Sequence, residues 1–228
     1  MTTPSFMIIF KPTLSPAEFD ATARALNRFM GGSVEYDVRH ASDPRAAENV
    51  RMGGQLLRAL RSEGPLRIDT TGFLMPELGT PLDQLRREGR GAIGIGLTNE
   101  PLFAARNGVE QEELGVGLYR RGAIVSVAGL RRRFGFDRRT GRCERDADVA
   151  MRALELAVCH ELGHVLIESY GRSGKNPVEE AHCPYSSCLM QENSGLGDFV
   201  ERIVRRGFGF CRECTQRIGM ELGLLRPA

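Results

Sequence analysis

The pattern of apolar and polar positions predicts most elements in the first half of the chain. An apolar run over residues 5–11 predicts a buried first strand. A helix is predicted to follow, because Ser15 and Glu18 form a capping box, Pro16 suits the first helical position, and a glycine pair at 31–32 ends the pattern. Further patterns predict a strand at 33–38, a helix over 47–64 that is helical at least from Gln55, a buried strand at 91–97, and two strands within 115–130 joined around Arg121 and Gly122.

The strongest helical pattern is "DADVAMRALELAVCHELGHVLIESY" at residues 146–170. Asp146 or Asp148 is the predicted N-cap, and the helix is predicted to continue to about Tyr170, with Gly171 as its stop. This helix is expected to be the central element of the fold.

The segment after the central helix is rich in glycine and cysteine and has helical stretches near 196–206 and 211–224. It has fewer than 60 residues and few aromatic side chains, so a bound metal would help it to hold its shape. The patterns therefore predict a mixed α/β N-terminal lobe over 1–170 that ends in the long helix. A small metal-stabilised C-terminal lobe over 171–228 completes one domain.

Composition and charge narrow the class of protein. Apolar and charged fractions of 41% and 26% are ordinary for a soluble globular chain, and a net charge of +2 is too small to indicate a polyanionic partner. The arginine clusters at 130–139 and 203–207 are interpreted as solvated faces. The apolar run near the N-terminus is too short for a signal peptide or a membrane span, so a cytoplasmic location is expected.

Four of the six cysteines occur in two short pairs, as C-x4-C (Cys183, Cys188) and C-x2-C (Cys211, Cys214). Such pairs suit a tetrahedral zinc site in which each pair binds one side of the ion. Two disulfides or a redox pair are the alternatives, although a redox C-x2-C is expected in a βαβ context that the sequence lacks. We interpret Cys159 as a small buried residue and Cys143 as a free thiol.

The central helix carries the motif H-E-x-x-H at residues 160–164. His160 and His164 stand four residues apart, so on a helix they project from one face and could bind one metal ion. Glu161 is offset around the helix, where it could act as a base on a zinc-bound water instead of binding the metal. Two ordinary histidines on a helix surface are the alternative.

Residues downstream of the helix make the motif more specific. "HCPYSSCLM" at 182–190 places a histidine directly before C-x4-C and then C-x-M, and "FCREC" at 210–214 supplies the C-x2-C. Together with H-E-x-x-H, these motifs resemble the archaemetzincins, metzincin-type metallopeptidases with the signature HExxHxxGxxHC-x4-C-x-M followed by C-x2-C. "GAIGIGLTNEPLF", "GAIVSVAGL" and "ENSGL" are similar to family segments as well, so the resemblance covers about residues 90–217.

The resemblance implies an α+β, metzincin-like fold and a peptidase that uses two zinc ions per chain, one catalytic and one structural. It implies that Glu161 is the general base and that peptides or proteins are the substrates. The residues implied to bind the catalytic zinc are His160, His164 and His182; those for the structural zinc are Cys183, Cys188, Cys211 and Cys214; Met190 would form the Met-turn.

The chain departs from the family pattern after the second histidine. The family glycine and third histidine fall on Ile167 and Tyr170, and the next histidine is His182. We expect His182 to be the third ligand and 171–181 to be a looped-out insertion, because extended chain of that length spans the return distance easily. Glu179, Glu180 or a water could replace it.

Two other functional classes remain open at this stage. The same fold could be a zinc-stabilised protein-binding module without activity, although such a module has no use for Glu161. A zinc-ribbon-like nucleic-acid binder is disfavoured by the small net charge. We therefore expect a monomeric peptidase without nucleic-acid or membrane partners.

Tyr185 is interpreted as a packing residue, with a role at the transition-state oxyanion as the alternative, and His40 is expected to be exposed.

Overall fold

The computed structural model describes residues 6–11, 14–32, 34–47, 50–52, 54–69, 92–106, 109–119, 122–137, 142–143, 145–167, 182–193, 195–207 and 209–222. The strands are β1 (Phe6–Phe10), β2 (Tyr36–His40), β3 (Val50–Arg51), β4 (Leu66–Asp69), β5 (Ala92–Thr98), β6 (Leu102–Arg106), β7 (Val109–Glu113), β8 (Gly115–Leu118), β9 (Gly122–Ser126), β10 (Phe136–Asp137) and β11 (Arg142–Cys143). The α-helices are α1 (Pro16–Met30), α2 (Gly54–Arg61), α3 (Ala128–Phe134), α4 (Ala147–Leu166) and α5 (Arg212–Glu221). A 3₁₀-helix (Pro44–Ala47), a helical turn (Leu196–Asp198) and a π-helix (Phe199–Val204) complete the described elements.

The main sheet has the strand order β2-β1-β5-β9-β8, and the short β3 also pairs with β5. The strands run parallel except for β8, which is antiparallel to β9. In the described part of the chain, β8 is the last strand on its side, so its outer edge is available for pairing. A second sheet has the order β4-β6-β7, and β10 and β11 form a two-stranded ribbon.

The main sheet is covered on both faces, as the side chains of β1 show. Phe6 and Ile8 lie in one hydrophobic cluster with residues of α1 and α4, whereas Met7 and Ile9 lie in a second cluster with residues of α2 and the smaller sheet. Successive side chains of a strand point to opposite faces, so a strand between two cores is apolar throughout. The buried strand predicted at 5–11 is confirmed.

Helix α1 begins with the predicted capping box. The Ser15 hydroxyl accepts the backbone N–H of Glu18, and the Glu18 carboxylate accepts the backbone N–H of Ser15 at 2.7 Å. Caps of this kind contribute about 1 kcal/mol. Arg131 of α3 donates to both oxygens of the same buried carboxylate, at 2.8 and 2.7 Å. Glu18 therefore both caps α1 and attaches this helix to α3.

Helices α1 and α4 are joined by a cluster of charges around Glu155. This carboxylate is buried, and it contacts Arg28 at 2.9 Å, Arg24 at 3.7 Å and Arg152 at 2.6 Å. Three guanidinium groups compensate the loss of hydration that a buried carboxylate suffers. The cluster fixes the position of α4 relative to the first helix.

Helix α4 is buried on nearly every side, as expected for a central helix; its N-cap is one of the two predicted residues, whereas its C-terminal end differs from the prediction. Asp146 occupies the N-cap position in a left-handed conformation and makes no side-chain capping bond. The helix ends at Leu166 instead of near Tyr170, because Ile167 is extended, with φ −106° and ψ 112°, and its side chain is buried in the core. β-Branched residues favour this extended conformation when they pack on a core. Residues 168–181, which include Gly171, lie outside the described part.

Other boundaries are corrected as well. The strand predicted at 33–38 is β2 at 36–40. The helix predicted over 47–64 is restricted to α2, because the segment before it forms the 3₁₀-helix and β3. The two strands predicted within 115–130 pair as expected, but the second one ends at Ser126 and α3 follows. The predicted C-terminal helical stretches correspond to the elements between Leu196 and Val204 and to α5.

The C-terminal elements pack on α4 and share its core. The members of the first cluster that come from this part of the chain are Cys183, Cys188, Leu189, Met190, Phe199, Val200, Ile203, Val204, Cys214 and Ile218. Among the described residues, no helix is long and apolar enough to span a membrane.

Candidate metal centres

Three histidines converge at the C-terminal half of α4. His160 and His164 present their Nε2 atoms 3.1 Å apart, and the His182 ring centroid lies 4.8 Å from that of His164 and 5.6 Å from that of His160. One ligand atom from each of the three histidines lies within 4.8 Å of the others. A tetrahedral zinc with Zn–N bonds of about 2.0–2.1 Å separates its nitrogens by about 3.3 Å. The cluster therefore fits a zinc ion with three imidazole ligands.

The backbone orients His160 for metal binding. The residue is 8% exposed, and its Nδ1 lies 2.7 Å from the carbonyl oxygen of Leu189. A carbonyl only accepts hydrogen bonds, so Nδ1 carries the proton and Nε2 keeps its lone pair. Such a bond from the second ring nitrogen fixes the orientation of a metal ligand.

Glu161 lies between α4 and the edge strand β8. The residue is 7% exposed. A methyl group added to Gly115 of β8 would lie 2.5 Å from Cγ of Glu161 and 2.8 Å from both Cδ and Oε1. Because glycine has no side chain, position 115 leaves free the space that the Glu161 carboxylate occupies.

Met190 packs beneath the helix between the two histidine positions. It is 0% exposed, and a methyl group added to Gly163 would lie 2.8 Å from Cε of Met190 and closer still to its sulfur. The backbone N–H of Met190 also points at Sγ of Cys188, at 3.4 Å. Met190 therefore lies directly against the turn of α4 that carries His160 and His164.

Four cysteine sulfurs form a second cluster. The measured distances are 3.7 Å between Cys183 and Cys211, 3.5 Å between Cys188 and Cys214, and 3.5 Å between Cys211 and Cys214. All four ligand atoms lie within 4.8 Å of one another. Tetrahedral zinc with Zn–S bonds of about 2.3 Å separates its sulfurs by about 3.8 Å, so the cluster fits this ion. All four cysteines are free, which contradicts the alternative of two disulfides.

The surroundings of Cys188 favour the thiolate, which is the form that binds metal. The hydrogen bond between the Cys188 and Cys214 sulfurs is the largest cause that lowers the pKa of Cys188 to about 5, and the backbone N–H groups of Cys211 and Met190 lower it further. Those two N–H groups lie 3.3 and 3.4 Å from the sulfur.

One loop connects the two centres. His182 immediately precedes Cys183, whose backbone N–H donates to the carbonyl of Met190 at 2.8 Å. The same loop supplies Leu189, which orients His160, and Cys188. The positions of His160 and His182 therefore depend on the fold of the loop that carries Cys183 and Cys188. We call the three histidines the histidine centre and the four cysteines the cysteine centre.

The remaining candidates from the sequence are separate from these centres. Cys159 is buried as predicted; its thiol donates to the carbonyl of Ala25, and burial raises its pKa to about 12. His40 is partly buried, so the prediction of an exposed ring is wrong, and its Nδ1 lies 2.6 Å from the Ser42 hydroxyl. Tyr185 is 53% exposed, which contradicts its interpretation as a packed residue.

The sequence analysis missed three glycines at the site, namely Gly115, Gly117 and Gly163. A side chain at any of them would overlap Glu161, His164 or Met190. The alternating G-x-G of β8 is a signal for the first two, since both then share one face of the strand. Glu179, Glu180 and the side chain of Cys143 lie outside what the structure describes.

Comparison with known proteins places this geometry in a known fold. No family model and no curated protein sequence matches the chain. Among solved structures, an archaemetzincin from Archaeoglobus fulgidus in complex with malonate is 17% identical with a TM-score of 0.47, over 92% of this chain and 98% of the other. A zinc-dependent peptidase from Methanocorpusculum labreanum is 16% identical with a TM-score of 0.50, over 93% of this chain and 99% of the other.

At this identity the likeness concerns the fold. The chain has the mixed α+β fold of a zinc-dependent peptidase, as the sequence predicted. The α+β fold that the motif resemblance implies is therefore confirmed.

Proposed function

We propose that this protein is a zinc-dependent peptidase. The observation that carries the proposal is the convergence of His160, His164 and His182 beside Glu161. Three protein ligands leave one position of a tetrahedral metal open, which distinguishes a catalytic zinc site from a closed structural one. A buried glutamate next to an open metal position is the expected arrangement for hydrolysis through a general base.

Zinc at this site would act as a Lewis acid that polarises the scissile carbonyl and lowers the pKa of a coordinated water to about 7. The protein supplies the proton transfers. Glu161 takes the proton from the attacking water and later delivers it to the leaving amine. Its low exposure keeps bulk water away from the carboxylate. The Leu189 carbonyl holds His160 in the tautomer that the reaction requires throughout.

The substrate is a peptide or protein that adds to the outer edge of β8 as an extended strand. This strand ends the main sheet, and its glycines lie against Glu161 and His164 of α4. Main-chain hydrogen bonds along such an edge bind a peptide without regard to its side chains. An extended substrate there would pass beside the histidine centre.

The four cysteines bind a second, structural zinc. Four thiolates close the coordination sphere, so this ion contributes folding energy and no chemistry. We propose a cytoplasmic location for the enzyme, because thiols remain reduced and available to zinc there.

Incubation of the zinc-loaded protein with a diverse peptide library, followed by mass spectrometry, tests the function. New termini should appear at neutral pH and disappear when a chelator removes the catalytic zinc. If a fully loaded protein cleaves no peptide in the library, the inactive binding module becomes the better description.

Substitution of the third ligand tests the proposed composition of the site. His182→Ala should lose one of two zinc ions in elemental analysis, since the remaining pair of histidines binds the metal much more weakly. Glu179→Ala and Glu180→Ala are the matched variants and should keep both ions. Loss of zinc in either glutamate variant, with full zinc in His182→Ala, would contradict the assignment.

A further inference from the structure

The edge strand β8 presents two different faces. Val116 and Leu118 are buried in the second hydrophobic cluster, whereas Gly115 and Gly117 point at α4. Neither glycine has a positive φ, so alanine could adopt both backbone conformations. What excludes a side chain at these positions is the proximity of α4.

The two glycines meet different parts of the helix. The three nearest atoms to a methyl group at Gly115 are Cγ, Cδ and Oε1, all from the side chain of Glu161. A methyl group at Gly117 would instead overlap the backbone carbonyl of Glu161 and would lie 2.8 Å from Cβ of His164. A carboxylate side chain can rotate away from an obstacle, but the backbone of a buried helix cannot.

We propose that Gly115 is a positioning residue that sets the placement of the Glu161 carboxylate. This inference rests on the proposed function, because it gives the glycine a role through the general base. Any side chain at position 115 would displace the carboxylate and leave the histidines in place. Gly117 has a different role, since it permits the close approach of strand and helix.

Displacement of the Glu161 carboxylate should slow the reaction, because proton transfer requires a fixed geometry. A general base acts only within hydrogen-bond distance of the proton it takes. We therefore expect Gly115→Ala to lower kcat by about 100-fold, the loss expected for a misplacement of about 1 Å, while KM changes by less than about twofold. Both zinc ions should remain, because no ligand atom is among the nearest neighbours.

A double-substitution cycle on thermal unfolding separates positioning from a general structural role and requires no activity. Gly115→Ala should lower the Tm by roughly 5 °C through overpacking. The same substitution in a Glu161→Ala background should cause no loss, because the three crowded atoms are then absent. Gly117→Ala should lower the Tm equally in both backgrounds. Gly32→Ala, which places a methyl group in open space, is the control and should leave the Tm and kcat unchanged.

The possible outcomes are distinct. A Tm loss for Gly115→Ala that persists in the Glu161→Ala background would overturn the proposal, as would an unchanged kcat in an active enzyme. If wild type cleaves no peptide, the proposed function fails, but the Tm cycle still decides whether Gly115 positions Glu161. If Gly115→Ala does not fold, recovery of folding in Gly115→Ala/Glu161→Ala supports the proposal, and failure of the double variant to fold overturns it.

Discussion

Glu161→Gln is expected to lower kcat for peptide hydrolysis by about 1,000-fold, within the range that general bases contribute. Glutamine has nearly the same shape as glutamate, so it should fill the same buried space against Gly115. It cannot accept and then release a proton at neutral pH, so the transfer from water to the leaving amine fails. The three histidines are unchanged, and elemental analysis should find zinc contents equal to wild type.

Glu35→Gln is the matched control for this substitution. Glu35 is exposed and immediately precedes β2, which is at the opposite end of the sheet from β8. The control should retain wild-type kcat, KM and zinc content. If zinc-loaded Glu161→Gln keeps more than about a tenth of the wild-type kcat, Glu161 is not the general base.

Cys214→Ser is expected to have the largest effect on stability. The sulfur of Cys214 is fully buried, 3.5 Å from the sulfurs of Cys188 and Cys211, and a serine hydroxyl is a poor ligand for the same metal. Loss of a structural metal removes folding energy, so the free energy of unfolding should fall by on the order of 4 kcal/mol. Urea unfolding monitored by circular dichroism measures this loss.

The same substitution should also weaken the histidine centre. The loop with Cys183 and Cys188 carries His182 and supplies the carbonyl that orients His160. Wild type should contain two zinc ions per chain, one of which a chelator removes readily. Cys214→Ser should lose the tightly held ion and release the other at lower chelator concentration.

Cys159→Ser is the control, because Cys159 is an equally buried cysteine outside the cluster. Its thiol donates to the Ala25 carbonyl, and a serine hydroxyl can make the same bond. This variant should keep both zinc ions. A Cys214→Ser protein that retains two zinc ions and unfolds like wild type would contradict the four-cysteine site.

The sequence by itself determined the features that depend on neighbouring residues. The capping box of α1 involves Ser15 and Glu18, which are three residues apart, and the apolar run of β1 specifies a strand between two cores. The spacing of His160 and His164 guarantees a shared helix face wherever α4 lies in the fold. The paired cysteines similarly bring two sulfurs together within each short motif.

The end of α4 and the approach of His182 to His164 could be determined only from the tertiary structure, although the residues involved are visible in the sequence. Helical periodicity continues past Leu166, but burial of Ile167 in the core ends the helix there. The return of His182 to His164 joins positions that local patterns do not relate. Periodicity describes a segment in isolation, whereas the end of a buried helix depends on what packs against it.

The glycines at the site are the clearest case of a decision made by packing. A glycine in a strand pattern has several explanations, and only the approach of β8 to α4 shows that Gly115 faces the side chain of Glu161 and Gly117 its backbone. Gly163 likewise has meaning only beside Met190. Sequence patterns report chemical groups and their local spacing, but close contacts between distant segments arise from the way the whole core packs, so only the folded chain reveals them.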